Sequence, residues 1–441
     1  MGSTEGRKID RLNIFNYAYS QKAPFLTTSK EPSALLQEGD MSDFFQNGVI
    51  TTFHKMGEQD LERLEGELKT FSKIRPIALV LPSLYREYVS GALPRIMKTL
   101  KRVSYLNEIV LCLDKATSAQ FQEVKHAFAS VKKLVIIWND GRQVKKIYQL
   151  MEKNGLSPGE PGKGRAVWIS LGYVLARGKS RVIAVHDCDI VNYDRLMLAR
   201  LCYPVGNPHF EYEFCKGFYS RVTDRMHGRA TRLFFTPFVR ALEKILGYLP
   251  FLVYIDSFRY ALAGEIALRR DLAMAMHIPS DWGLEVGTLA EVYRSVTLNR
   301  ICQVDIADEY EHKHQALVPN NPEKGILKMA VDIAKSIFRT LALEGVEFSE
   351  GFFKTLSNLY LKIAQEAVVR YESDAALNGL YFDRHTELVS VEAFADGINR
   401  AGRIFWQNPA IMQLIPCWHR VTAALPELYP MLIDSVKLDN K

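Results

Sequence analysis

Two carboxylates separated by one residue are the side chains of this sequence best suited to bind a metal ion. Asp187 and Asp189 follow the apolar run at 182–185, and strand alternation puts them on one face, with Cys188 on the other. Such paired oxygen ligands suit Mg²⁺ or Mn²⁺, which keep several waters and bind phosphate. Because Asp is also common in turns and helix caps, the pair alone leaves a metal site and a capping role open.

A glycine-rich loop at 158–166, Pro-Gly-Glu-Pro-Gly-Lys-Gly-Arg-Ala, precedes these carboxylates and leads into a helix-like segment. Lys163 and the outward-pointing N–H groups of the helix start are suited to an anion. A surface loop would also explain the prolines and glycines, and the spacing is not that of a Walker A motif. With two carboxylates some twenty residues later, we interpret the loop as an anion site.

A second anion site is indicated at 216–232, a segment rich in basic residues whose only acidic residue is Asp224. A charge run is usually a solvated face. However, Gly228, Arg229 and Thr231 place a guanidinium and a hydroxyl beside a glycine, which suits a phosphate or carboxylate of a small molecule.

Four further residues are open to two interpretations each. Glu87 follows the first strand and could accept hydrogen bonds from a ribose, while Glu285 follows a glycine; both are equally typical of a first helical turn. His312 and His314 could complete a metal shell. An exposed histidine near charges is more often an ordinary surface residue.

The elements that must position these residues alternate from residue 76 onward. Strand-like runs lie at 77–81, 108–113, 133–138, 182–185 and 301–304, and helix-like segments lie around 88–102, 117–130, 143–153 and 164–177. This alternation predicts an α/β fold with a parallel sheet covered on both faces, whose ligands bind at the carboxyl ends of the strands.

The predicted organisation is an N-terminal extension at 1–75, with a helix at 57–72, then an α/β domain at 76–330 and a helical C-terminal region at 331–441. Helices at 326–342, 350–371 and 391–403 are expected to serve packing or dimerisation. The six cysteines are scattered, which indicates a reduced, cytoplasmic protein without a zinc site. The longest apolar uncharged run, 245–255, contains a proline and is shorter than the roughly 20 residues of a membrane span.

The amino-acid composition limits the classes of function that the protein can have. With 441 residues and 48% hydrophobic content, the chain can bury a large core. A net charge of +6 is too diffuse for a nucleic-acid binder, but it suits a small anionic substrate.

The order of seven short motifs resembles the glucosyl-3-phosphoglycerate synthases, over about residues 76–318. The motifs are Pro-Ser-Leu at 82–84, Pro-Gly-Lys-Gly at 161–164, Asp-Cys-Asp at 187–189, Gly-Arg-Ala-Thr at 228–231, Leu-Ala-Gly-Glu at 262–265, Gly-Leu-Glu-Val-Gly at 283–287, and Gln-Val at 303–304 with His312. This family and the related mannosyl-3-phosphoglycerate synthases are retaining glycosyltransferases of the Rossmann-like GT-A fold.

The resemblance implies a role for each matching residue. The implied donor contacts are Pro82 and Leu84 at the uracil, Glu87 at the ribose, Lys163 at the diphosphate, and Asp187 with Cys188 at the sugar nucleotide. The implied metal ligands for Mg²⁺ or Mn²⁺ are Asp189 and His312. The implied acceptor contacts are Gly228, Arg229 and Thr231 for 3-phosphoglycerate, with the backbone of Leu262 near the reacting hydroxyl and Glu285 on the donor hexose.

Two departures from the family pattern bear on these roles. Tyr85 and Arg86 stand where the family usually has Asn-Glu, and one extra residue before His312 leaves His314 as a substitute metal ligand or acceptor contact.

The implied reaction moves glucose from UDP-glucose to the 2-hydroxyl of 3-phosphoglycerate in a homodimer. The alternatives are a mannosyl-3-phosphoglycerate synthase using GDP-mannose and a non-catalytic nucleotide-sugar-binding module. A nucleotidyltransferase would need a glycine-rich signature after the first strand, which is absent.

Overall fold

A central sheet organises the part of the chain that the computed structural model describes, namely residues 46, 48–310, 325–409 and 414–441. His312 and His314 lie outside these residues. The strands are β1 (Thr51–Phe53), β2 (Ile77–Leu84), β3 (Leu106–Asp114), β4 (Leu134–Trp138), β5 (Val182–Val185), β6 (Phe214–Tyr219), β7 (Ile266–Arg269), β8 (Ile278–Pro279), β9 (Ile301–Ala307) and β10 (Leu414–Ile415). Eight of them form one sheet in the order β1-β9-β6-β7-β5-β2-β3-β4, and β8 pairs with β10.

Helices connect these strands and dominate the C-terminal part of the chain. They are α1 (Leu61–Phe71), α2 (Tyr85–Val89), α3 (Ala92–Leu100), α4 (Ser118–Ala127), α5 (Arg142–Lys153), α6 (Lys163–Arg177), α7 (Arg195–Gly206), α8 (Thr236–Leu246), α9 (Pro250–Asp256), α10 (Arg270–Ala275), α11 (Leu284–Ser295), α12 (Gly325–Leu343), α13 (Glu350–Leu377), α14 (Arg384–Gln407), α15 (Trp418–Ala424) and α16 (Leu428–Asp439). A wide π-helical turn, Ala230–Phe235, precedes α8, and a short 3₁₀ turn, Leu298–Arg300, precedes β9.

Both faces of the sheet are covered, as the alternation of strands and helices predicts. In β2, Ala78 and Val80 enter a core with α5, α6, α8 and the C-terminal helices, whereas Ile77 and Leu79 enter a second core with α3, α4 and α7. The α/β fold class is therefore confirmed. Within the described residues, no helix is long and apolar enough to cross a membrane.

One strand of the main sheet, β7, is antiparallel to both of its neighbours. The predicted strands at 77–81, 108–113, 133–138, 182–185 and 301–304 are present as β2, β3, β4, β5 and β9. The first four pair in parallel with one another, and β9 pairs in parallel with β6. The sequence patterns did not indicate β1, β6 or β7, and β7 is antiparallel to both β5 and β6. Since Val185 pairs with Ile266, the start of β7 lies at the same edge as the end of β5.

The first strand of the α/β region does not stop at Pro82, as its sequence suggests, but continues to Leu84. The last residue of β2 paired with β5 is Val80, so the strand has only β3 as a neighbour beyond that point. A proline lacks an N–H donor and is tolerated where one side of a strand is open.

The helix expected over 88–102 is divided into α2 and α3. Gly91 lies between them with φ +81°, a left-handed conformation that glycine adopts without strain and that interrupts helical hydrogen bonding. The helices expected around 117–130, 143–153 and 164–177 are α4, α5 and α6.

The C-terminal helices pack on the α/β core. Trp418 of α15 stacks on Trp168 of α6, with ring centroids 4.2 Å apart, and α12, α13 and α14 pack on one another and beside α8. Residues from Gln46 to Lys441 belong to one compact unit. The division of the chain near residues 75 and 330 stays a prediction.

Candidate active site

A small cleft lies at the carboxyl edge of the sheet, where the end of β5 and the start of β7 meet. Its walls combine apolar side chains with ionisable ones. It is lined by Lys163, Val167, Val185, Lys216, Ala263, Gly264, Ile266, Leu284, Glu285 and Thr288. Concave sites of this kind, apolar with a few convergent polar groups, are the usual place for a small ligand in an α/β fold.

A lysine bridges two carboxylates in this cleft. The Nζ atom of Lys163 lies 2.7 Å from Asp187 Oδ1 and 2.9 Å from Glu285 Oε1. Lys163 is the first residue of α6, while Glu285 is in the first turn of α11. Burial by itself lowers the pKa of Lys163, but Asp187 and Glu285 raise it well above its usual value. The lysine is therefore a permanent cation at the centre of the cleft.

The Asp-x-Asp segment lies just beyond β5. The strand ends at Val185, and the backbone N–H of His186 extends the ladder by donating to Val80 O at 3.1 Å. Asp187 and Asp189 are half-buried, whereas Cys188 is buried. The alternation expected of a strand thus persists in the loop, and the Cys188 side chain faces the core.

Asp189 lies in a strongly acidic environment. Burial, followed by repulsion from Asp187, raises its pKa to about 7, and Glu87 and Glu265 act in the same direction. Among the described residues that act on this pKa, three are carboxylates and one is the cationic Lys163, which suits a divalent cation. No group of three or more potential metal-ligating side chains occurs within the described ranges, so a cation held here would need phosphate, water or a residue outside those ranges.

Two ionisable residues missing from the predicted donor site lie at the cleft: Lys216 lines it, and Glu265 is buried between the lining residues Gly264 and Ile266. Lys216 is buried, donates from Nζ to Ala263 O at 2.6 Å, and has its pKa lowered by burial to about 8. Glu265 is fully buried and accepts from the hydroxyls of Tyr219 at 3.0 Å and Tyr310 at 2.5 Å. The signal that could have revealed Lys216 is its position inside the apolar run of β6.

Close packing explains three motif glycines. A Cβ atom on Gly264 would lie 2.5 Å from Asp187 Oδ2, and one on Gly164 would lie 2.1 Å from Pro279 O. On Gly287, it would lie 2.3 Å from Pro279 Cγ. These glycines let the segments carrying Asp187, Lys163 and Glu285 approach one another. Leu262, two residues before Gly264, is half-buried beside the cleft.

The end of β2 lies near the Asp-x-Asp segment, because Val80 accepts the hydrogen bond from His186, but none of its residues lines the cleft. Pro82 is buried and Leu84 is half-buried at the start of α2. Glu87 is only 4% exposed, and its Oε1 accepts from Arg86 Nε at 2.7 Å. Since Glu87 contributes to the raised pKa of Asp189, these two predicted site residues face the same region.

The predicted acceptor residues lie on a separate loop and π-helical turn. Gly228 has φ +75° and precedes Arg229 and the turn Ala230–Phe235. Arg229 Nε donates to Glu387 Oε1 at 2.7 Å, and its side chain is 35% exposed. The Thr231 hydroxyl is buried without a hydrogen-bond partner in the described parts of the chain. π-Helical turns occur frequently at functional sites.

Fold and cleft together define an α/β protein with a candidate small-ligand site at the carboxyl ends of its strands. No family model matches the chain. It is 49% identical over 401 residues to the glucosyl-3-phosphoglycerate synthase of Persephonella marina, covering 91% of this chain and 99% of that protein. It is 38% identical over 409 residues to the synthase of Methanococcoides burtonii, covering 90% and 98%. The chain therefore belongs to the glucosyl-3-phosphoglycerate synthase family and is a glycosyltransferase, which confirms the resemblance in motif order.

Solved structures of the Mycobacterium tuberculosis synthase are more distant. The complex with Mn²⁺, UDP-glucose and phosphoglyceric acid is 22% identical, covers 68% of this chain and 89% of that chain, and has a TM-score of 0.48. The complex with Mg²⁺ and UDP is 23% identical, with the same coverage and TM-score. The family assignment rests on the two sequence relatives.

Proposed function

We propose that this protein transfers glucose from UDP-glucose to the 2-hydroxyl of 3-phosphoglycerate, with retention of configuration at the anomeric carbon. The observation that carries the proposal is the Lys163 bridge between Asp187 and Glu285 in a cleft at the carboxyl edge of the sheet. Membership of the glucosyl-3-phosphoglycerate synthase family supports it.

The donor occupies the cleft in this proposal. Lys163 stabilises the negative charge that develops on the departing diphosphate, because its ammonium is already oriented and stays protonated. Asp187 contacts the ribose or sugar and Glu285 the hexose hydroxyls. Pro82 and Leu84 border the uracil, and Glu87 lies on the ribose side.

A divalent cation, Mg²⁺ or Mn²⁺, is held by Asp189, with His312 or His314 as a further ligand. Asp189 is suited to this because, among the described residues that shift its pKa, carboxylates outnumber cations. When bound, the cation adds charge stabilisation at the diphosphate oxygens. In the M. tuberculosis member of the family, solved complexes contain Mg²⁺ with UDP and Mn²⁺ with UDP-glucose.

The acceptor is held by Gly228, Arg229 and Thr231, with the Leu262 backbone beside its 2-hydroxyl. The bond between the anomeric carbon and the diphosphate oxygen breaks, and the electron pair leaves with UDP. The acceptor oxygen bonds to the same face of the sugar, and its proton passes to the departing phosphate. Asp187 and Glu285 are both paired with Lys163, which makes each of them a poor nucleophile.

A nucleotide-release assay tests the reaction. UDP-, GDP- and ADP-sugars are offered against 3-phosphoglycerate and glycerate, with and without Mg²⁺. We expect the fastest release with UDP-glucose and 3-phosphoglycerate. Preference for GDP-mannose would contradict the proposed donor, and donor binding without release would indicate a non-catalytic module.

The Arg229→Ala variant is expected to raise the KM for 3-phosphoglycerate by about 30- to 100-fold, since a charge-assisted contact contributes roughly 2–3 kcal/mol. The KM for UDP-glucose should stay within about twofold, which steady-state kinetics with each substrate varied will show. Arg240→Ala is the matched control, because Arg240 is an exposed arginine of α8 that pairs only loosely with Asp256, at 3.8 Å. An unchanged acceptor KM would remove Arg229 from the site.

Metal affinity is expected to depend on pH through Asp189. Its carboxylate must be deprotonated to bind a cation, and with a pKa of about 7 a proton competes increasingly as the pH falls below that value. Between pH 8 and pH 6, the ionised fraction falls about tenfold, so the Kd for Mg²⁺ should rise by about the same factor. Calorimetric titration with Mg²⁺ at pH 6, 7 and 8 measures this directly. A Kd that is constant over this range would rule out Asp189 as the ligand.

A further inference from the structure

A carboxylate from the C-terminal helices lies directly behind the predicted acceptor arginine. Glu387, in the first turn of α14, is only 4% exposed. Its Oε1 accepts from Arg229 Nε at 2.7 Å, and its Oε2 lies 3.1 Å from Arg232 Nη2. One buried carboxylate is thus shared by two guanidinium groups. Both belong to the loop and π-helical turn that carry the predicted acceptor residues, which we call the acceptor loop.

The two arginines differ in what else they contact. Arg232 also donates from Nε to His227 O at 2.8 Å, lies 4.8 Å from the ring centroid of Tyr371, and is 12% exposed at its side chain. These contacts make Arg232 part of the packing. The Nη groups of Arg229 have no hydrogen-bond partner among the described residues, and its side chain is 35% exposed.

A second, independent observation points to a ligand beside Arg229. The hydroxyl of Thr231 is buried, with the residue 7% exposed, and it has no hydrogen-bond partner within the described ranges. A buried hydroxyl without a partner is costly, and a polar ligand bound beside Arg229 would satisfy this one. A guanidinium edge and a hydroxyl two residues apart together match a phosphate.

The helical hairpin of α13 and α14 holds this loop at further points. The N–H of Tyr381, between the two helices, donates to Asp224 O at 2.8 Å, and Arg225 lies over the Tyr381 ring at 4.9 Å from its centroid. On the other side, the Tyr360 hydroxyl donates to Leu233 O at 2.6 Å. The hairpin therefore contacts the acceptor loop before, within and after its Gly-Arg-Ala-Thr motif.

We propose that the α13–α14 hairpin is part of the acceptor site and that Glu387 is a positioning residue for the acceptor phosphate. By accepting from Nε, Glu387 fixes the plane of the Arg229 guanidinium and directs its two Nη groups to the anion. It also compensates the charges of two neighbouring arginines, which would otherwise repel each other. This inference rests on the proposed function, because it assigns a role within the same acceptor site.

The test is a double-mutant cycle between Glu387 and Arg229. Glu387→Gln is expected to raise the KM for 3-phosphoglycerate about tenfold and to leave the KM for UDP-glucose within about twofold. In the Arg229→Ala background, the same change should add no more than about twofold, because its effect passes through Arg229. Glu213→Gln is the matched control, since Glu213 pairs with Arg300 at 2.6 Å outside the hairpin. It should leave both constants unchanged.

Two results would overturn the inference. The first is that Glu387→Gln raises the acceptor KM equally in the presence and absence of Arg229. The second is that it lowers the Tm and changes the KM values of both substrates alike, which would mark Glu387 as a purely structural residue. If the Gln variant does not fold, Glu387→Asp keeps the charge but shortens its reach, and the same rise in acceptor KM is expected. Hydrogen exchange of the unmodified protein adds a check that needs no variant, because 3-phosphoglycerate should protect the amides of 384–390.

Binding of inorganic phosphate, measured by calorimetry without donor, separates this inference from the proposed function. The unmodified protein should bind phosphate about tenfold more tightly than Glu387→Gln. If it binds phosphate in this way but releases no UDP with 3-phosphoglycerate, the proposed function fails and the role of Glu387 stands. If it transfers glucose and its phosphate affinity is the same in both forms, the role of Glu387 fails alone.

Discussion

The Asp189→Ala variant is expected to lose glucose transfer by at least about a thousandfold, because a bound cation contributes several kcal/mol at the diphosphate and each 1.4 kcal/mol is about tenfold. The carboxylate is half-buried and lies among other carboxylates, so its removal takes away the proposed metal contact. The measurement is UDP release at saturating UDP-glucose, 3-phosphoglycerate and Mg²⁺. Calorimetry should show that Mg²⁺ binding is lost as well.

Asp194→Asn is the control for this variant. Asp194 lies five residues further on, where its carboxylate caps α7 by accepting from Met197 N at 2.9 Å. Asparagine is about as good a cap as aspartate, so stability should change little and activity should stay within about twofold. If Asp189→Ala kept more than a tenth of the activity, the metal role of the Asp-x-Asp segment would be wrong.

The Lys163→Met variant is expected to have the second largest effect, a fall in kcat of about one hundred- to one thousandfold, the range typical for loss of one preorganised donor at a developing charge. It also leaves Asp187 and Glu285 facing each other without the cation that now lies 2.7 and 2.9 Å from them. Single-turnover kinetics with UDP-glucose separates the chemical step from binding.

Lys163→Arg and Lys354→Met accompany this experiment. Arginine keeps the charge in a larger side chain and should recover only part of the rate. Lys354 forms an exposed pair with Glu350, 3.2 Å apart on α13, and its replacement should leave kcat unchanged. Unchanged single-turnover rates in Lys163→Met would show that the bridge serves stability alone.

Most of the α/β fold was predictable because it depends on local patterns. Five strands of the main sheet and the helices α4, α5 and α6 follow from apolar periodicity and glycine-rich boundaries. β6 and β7 escaped prediction since Lys216 interrupts the first, and the second has only three apolar residues before Arg269. The direction of β7 was not predictable either, because strand pairing is settled between distant segments.

The sequence by itself determined the family, through the order of its motifs, and the residue types that a donor and an acceptor need. Only the tertiary structure decided which of these residues meet. Lys163 and Glu285 are 122 residues apart, and Arg229 and Glu387 are 158 apart, so no spacing rule connects them. The physical reason is that such ion pairs form when packing places two elements side by side, and a packing surface is shared by distant segments. For that reason, a helical region expected to serve packing or dimerisation supplies the carboxylate behind Arg229.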